Sequence, residues 1–121
     1  MSNLLKIPLP GYPRANPRGG ITWKGDYFGN NNYLAGGDKL YASDLGMVGI
    51  EDAHFSFLGI GSNSTYQYKA LPPTGSANSN ETYAPVYSSI TVQAYTAANS
   101  TEVANNTNMS TVGARLTVNG I

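Results

Sequence analysis

Catalysis in this chain would have to come from one histidine and seven carboxylates, because there is no cysteine. Nucleophilic catalysis needs a hydroxyl or thiol beside a base, and that base in turn held by a third group. The single imidazole, His54, stands in a run of strand-forming residues. No G-x-S-x-G elbow accompanies it. A solitary histidine supplies neither a metal cluster nor a Cys/His pair, and it reads as a side chain in or beside a sheet. The acids are Asp26, Asp38, Asp44, Glu51, Asp52, Glu81 and Glu102. Glu51 and Asp52 adjoin, but neighbours on a strand point to opposite faces. Asp38 and Asp44 are too sparse to assemble the oxygen cage of a calcium site. The glycines at 29, 36 and 37 match no phosphate-binding loop. We therefore expect no enzyme, no catalytic residue, no metal and no cofactor.

The surrounding composition supports binding rather than turnover. The chain has 121 residues, enough for one domain and one modest core. Charged residues make up 12% and the formal net charge is zero. That removes the electrostatic case for nucleic acid. No stretch is long enough to span a membrane, and the start, interrupted by Pro8 and Pro10, does not read as a signal peptide. A product made in the cytoplasm is expected. The N-x-[ST] triplets, such as Asn63-Ser64-Thr65, then follow from the abundance of these residue types.

Glycine, asparagine, serine, threonine and tyrosine dominate, a palette for strands and turns. Residues 21–28 read as a first strand, followed by an Asn-rich turn. Lys39-Leu40-Tyr41 is a short extended piece. Ala42 to Gly46 reads as one helical turn, capped by Ser43 or Asp44 and stopped by Gly46. Residues 50–60 and 65–69 read as strands joined in a hairpin. Residues 71–81 read as an exposed loop, and 101–103 as a short strand. The clearest alternation lies in 86–95 and 112–118. Period-two patterning puts Val86, Ile90, Val92 and Ala94 on one face, and Tyr87, Thr91, Gln93 and Tyr95 on the other. The fold class is all-β: an antiparallel β-sandwich or small barrel spanning 21–121, with an extended Pro/Gly-rich N-terminal arm over 1–20.

The arm carries four of the seven prolines and an unusual charge. Its bases and Lys24 give the first 24 residues +4, and the remaining 97 carry −4. Leu4, Leu5, Ile7 and Tyr12 add apolar surface that a solvated tail rarely needs. Such a segment suits contact with another subunit. There are nine tyrosines, and Tyr87 and Tyr95 are candidates for a subunit interface, since tyrosine joins apolar area to a hydrogen-bonding tip.

The run Gly36-Gly37-Asp38-Lys39-Leu40-Tyr41-Ala42-Ser43-Asp44-Leu45-Gly46, then Ile50, resembles a pattern in small head structural proteins of tailed phages. Residues 101–110 with the final Arg115-Leu116-Thr117-Val118 strand are similar to the end of the same family. The resemblance covers roughly residues 21–121. It implies a capsid decoration (cement) protein on the virion surface, often trimeric, bound to the major capsid protein. The arm would then grip the shell, with Lys6, Arg14 and Arg18 on acidic patches and Leu4, Leu5, Ile7 and Tyr12 against apolar ones. The alternative is a carbohydrate- or receptor-binding module of a tail or fibre, reading its tyrosine-rich faces.

Overall fold

The computed structural model describes residues 5–17, 19–57, 61–62, 64–71 and 87–121. It is all-β, built from two antiparallel sheets. The strands are β1 (Leu5–Pro8), β2 (Arg14–Ala15), β3 (Ile21–Phe28), β4 (Asp38–Tyr41), β5 (Ile50–Ser56), β6 (Tyr66–Leu71), β7 (Ser89–Thr96) and β8 (Gly113–Gly120). One sheet has the order β1-β3-β8-β5, with β2 also on β3; the other is β4-β7-β6. Among the described residues no helix is long and apolar enough to cross a membrane.

Alternation decides which side chains meet between the sheets. Trp23 and Tyr27 of β3, Ala114, Leu116 and Val118 of β8, and Ile90, Val92 and Ala94 of β7 are buried. Three rings join the layers. Tyr27 meets Tyr68 edge-on at 5.0 Å and Phe55 at 5.4 Å, and Phe55 lies 5.5 Å from Tyr68. Edge-to-face pairs add about 0.5–1.5 kcal/mol each beyond the area they bury.

These rings also explain why 50–60 and 65–69 do not form the expected hairpin. Strand β5 pairs with β8 and β6 pairs with β7, in different sheets. Phe55 and Tyr68 face each other across the core rather than standing side by side on one ladder. The turn at Ala42–Leu45 is a 3-10 helix, closed by Gly46 at φ 75°. Glycine takes that left-handed conformation without a Cβ penalty. Neither Ser43 nor Asp44 caps it; both lie inside the turn, and no side chain bonds its N-terminus. Residues 101–103 make a single bridge, Tyr95 to Glu102. The expected loop 71–81 lies, beyond Leu71, outside the described residues.

The N-terminal segment is extended and hydrogen-bonded to its own β3. Leu5 opposes Phe28 and Pro8 opposes Gly25; Arg14 then opposes Thr22. Five residues, Leu9 to Pro13, thus face only Trp23 and Lys24, so three are looped out. Proline tolerates the end of an edge strand because its missing N–H is not needed there. Gly25 permits the close approach: a Cβ there would strike the Ile7 carbonyl oxygen and the Pro8 Cα.

Two tyrosines in this core should behave oppositely. The Tyr68 hydroxyl donates to the Val112 carbonyl at 2.7 Å and accepts from the Gly29 N–H at 3.1 Å. The buried Tyr27 hydroxyl has no partner. Tyr68→Phe is expected to lose about 1–3 kcal/mol, since it strands a buried amide and a carbonyl. Tyr27→Phe is expected to hold or gain stability. Urea unfolding of both variants checks this; equal losses would contradict it.

Candidate functional site

The outer face of the β4-β7-β6 sheet is assembled by register. Lys39 opposes Thr91, Lys69 opposes Gln93, and Gln67 opposes Tyr95. Alternation turns these to the outer side of the sheet, together with Tyr41, although Thr91 is covered there. The Lys69 ammonium lies 5.4 Å from the centre of the Tyr95 ring, within cation–π range. Tyr41 is 47% exposed at the sheet edge. The result is a face of phenols, amides and two lysines.

Glu102 anchors one border of this face. Its carboxylate accepts the Tyr33 hydroxyl at 2.7 Å and the Gly36 N–H at 2.6 Å. These bonds fasten the turn that leads into β4 to the segment beside β7. The hydrogen bond from Tyr33 chiefly holds the Glu102 carboxyl below its usual range, against a smaller opposing effect of burial. Burial pushes the Tyr33 phenol up, and the bond to Glu102 adds to this. Asp38 points inward from β4, and burial raises its carboxyl despite hydrogen bonds from the Asn30 side chain and the Leu34 backbone. Local sequence carries no sign of the Tyr33–Glu102 pair, because the partners lie 69 residues apart.

The outer face of the larger sheet is a polar ladder. Asn16 donates to Thr22 at 3.4 Å, Thr22 donates to Asn119 at 2.8 Å, and Asn119 donates to Asp52 at 2.8 Å. Two rows away, the Arg115 Nε donates to Asp26 at 3.0 Å. Asp52, His54 and Ser56 alternate along β5 in a D-x-H-x-S pattern. Same-face neighbours on a strand stand roughly 6.5–7 Å apart, about twice the reach of a proton relay. Asp52 orients Asn119, and among the described residues His54 has no hydrogen-bond or ion-pair partner. Among the described residues, no group of three or more histidines and acids could hold a metal.

An open groove of about 190 Å³ lies where β5 approaches β6. Ile50, Ala53, Ala70, Leu71, Tyr87 and Ile90 line it, with Glu51 and Asp52 beside them. Tyr87 belongs here. It pairs with Ile50 of the other sheet and packs on the core, whereas Tyr95 lies on the outer face. The expected shared face is therefore split, because regular pairing of β7 begins only at Ser89.

The remaining sequence candidates spread along one edge. Leu4 and Arg18 lie outside the described residues, and Leu5 is placed by its backbone alone. Lys6 makes a loose ion pair with Asp44 at 3.9 Å. Ile7 is 46% exposed. The Arg14 guanidinium sits 4.3 Å from the centre of the Tyr12 ring. Ile7, Tyr12 and Arg14 thus form an apolar and cationic strip beside β3. Compared with known proteins, the chain matches no family model, no curated protein and no solved structure.

Glu102 makes stability depend on acid. Its folded pKa lies below the reference 4.5, so between the two values the unfolded chain binds the extra proton. Its contribution is complete above 4.5 and is lost as pH falls through the lowered folded value. Glu102→Gln is therefore expected to lower the melting temperature at neutral pH. The gap should close once the pH falls well below 4.5. A gap independent of pH would place the loss elsewhere.

Proposed function

We propose that this chain is a structural binding protein, a decoration (cement) protein on the outer capsid surface of a tailed phage. The observation that carries this reading is the outer face of β4, β7 and β6, where Tyr41 and Tyr95 alternate with Lys39, Lys69, Gln67 and Gln93. Tyrosines supply contact area with little entropy to lose, and their hydroxyls and the amides meet a partner's polar groups. Glu102 and the ladder on the opposite sheet stiffen the body, so docking costs little reorganisation. The β-sandwich body would span contacts between major capsid subunits.

Such a protein acts by mass action. It binds the assembled shell and not the separated subunits, and so stabilises the shell. Several copies around a symmetry axis, a trimer in the reading favoured here, multiply weak single contacts into avidity. The strip of Ile7, Tyr12 and Arg14 offers a second contact at the sheet edge. The exposed Tyr41 ring supports a second reading, a sugar- or receptor-binding module of a tail or fibre, since sugar rings stack on phenol faces.

Co-sedimentation with intact virions, with cryo-electron microscopy of the heads, tests the first reading. Wild-type protein should pellet with the particles. Lys39→Glu and Tyr95→Ala should each weaken binding about tenfold without lowering the melting temperature. Failure to bind heads, or binding untouched by both variants, would sink it. A glycan array hit lost in Tyr41→Ala would favour the second reading.

A further inference from the structure

We propose that β1 is an exchangeable strand, and that the β3 edge of one copy accepts Leu5–Pro8 of a second copy of this chain. The inference does not depend on the capsid reading. It starts from how differently the two halves of the N-terminal segment are held.

The second half is anchored. Arg14 and Ala15 pair with Thr22 and Ile21. The turn that follows is closed from both sides. Asn16 exchanges backbone bonds with Gly20 and Gly19, and its side-chain oxygen accepts the Gly20 N–H at 2.9 Å. The first half has one neighbour. Among the described residues β1 pairs with β3 alone, and Lys6 makes the ion pair of its side chains, to Asp44 at 3.9 Å. The pair is long and its Asp44 carboxylate is half exposed, so it contributes little although the Lys6 side chain is mostly covered. Strand β1 can therefore leave while β2 stays.

The connection between them has the length to permit this. Leu9 to Pro13 cover a stretch of β3 occupied by two residues. Straightening the three surplus residues would extend the reach of β1 by roughly 10 Å. Pro10 and Pro13 stiffen the straightened form, which lowers the entropy it would otherwise cost.

A vacated β3 edge cannot stay bare, because Gly25–Phe28 would present unpaired amides and carbonyls. The sequence that fits that edge is already seen on it. Gly25 leaves room for the Ile7 carbonyl and Pro8, and Ile7 lies across from Asp26. A second copy offers identical residues in identical register. Exchange therefore replaces each lost contact with its equal, the condition under which swapped oligomers form cheaply. Reciprocal exchange closes a dimer, and head-to-tail exchange closes a ring.

The absence of native cysteine makes the test clean. Ile7→Cys and Phe28→Cys place thiols on the same side of the β1–β3 ladder as diagonal neighbours, two residues apart in register. The two single variants are mixed at high concentration, treated with a short thiol crosslinker, and run on a denaturing gel. Exchange predicts a covalent species of twice the 12.8 kDa chain mass. Its yield should rise with concentration and exceed that of either variant alone. It should collapse when Gly25→Ala is added to the Phe28→Cys partner, because the new methyl blocks the edge. A mixture that stays monomeric, while the Ile7→Cys/Phe28→Cys double variant crosslinks within itself, would overturn the proposal. Because this readout uses purified chain without particles, its failure is separable from failure to bind heads.

Discussion

The packing of Tyr27, Tyr68 and Phe55 is the contact on which the two sheets depend. Tyr27 comes from the long strand of one sheet and Tyr68 from an edge strand of the other. Their edge-to-face contact sets how the layers face each other. Tyr68 does more than fill space. Its hydroxyl bonds Gly29 and the Val112 carbonyl, tying the exit of β3 and the entry of β8 to the opposite sheet. A small core gains specificity when a large ring also fixes backbone through its polar tip.

Around that core, polar groups bond to one another rather than standing free. Glu102 closes the turn before β4 through Tyr33 and Gly36, and Asp26 holds Arg115. Asn16, just past β2, forms one line with Thr22, Asn119 and Asp52 across the three strands β3, β8 and β5. Side chains committed this way set the shape of the surfaces. Tyr41 and Lys39 of the smaller sheet and Ile7 and Arg14 at the β3 edge are exposed at the surface.

Local pattern made much of the architecture legible. The strand near 21–28 is read from its β-branched and aromatic content, those near 86–95 and 112–118 from alternation, and Gly46 ends its turn where a glycine should. The β5–β6 hairpin was not legible, because two nearby apolar runs look alike whether they share a ladder or face each other across a core. Tyr87 was misplaced because parity holds only while a strand is regular, and its pairing with Ile50 precedes the regular stretch of β7. The Tyr33–Glu102 bond spans 69 residues and leaves no local mark.

Composition and alternation by themselves determined the class: β structure, a single modest core, no thiol chemistry, and a basic proline-rich leader ahead of an acidic remainder. Tertiary structure decided which strands became neighbours and which side chains bonded. It laid residues 5–8 along β3 and turned Tyr95 outward while Tyr87 went to the groove. The reason is physical. Alternation is a property of a few consecutive residues, whereas sheet order follows from which distant rings and carboxylates find partners when the core closes.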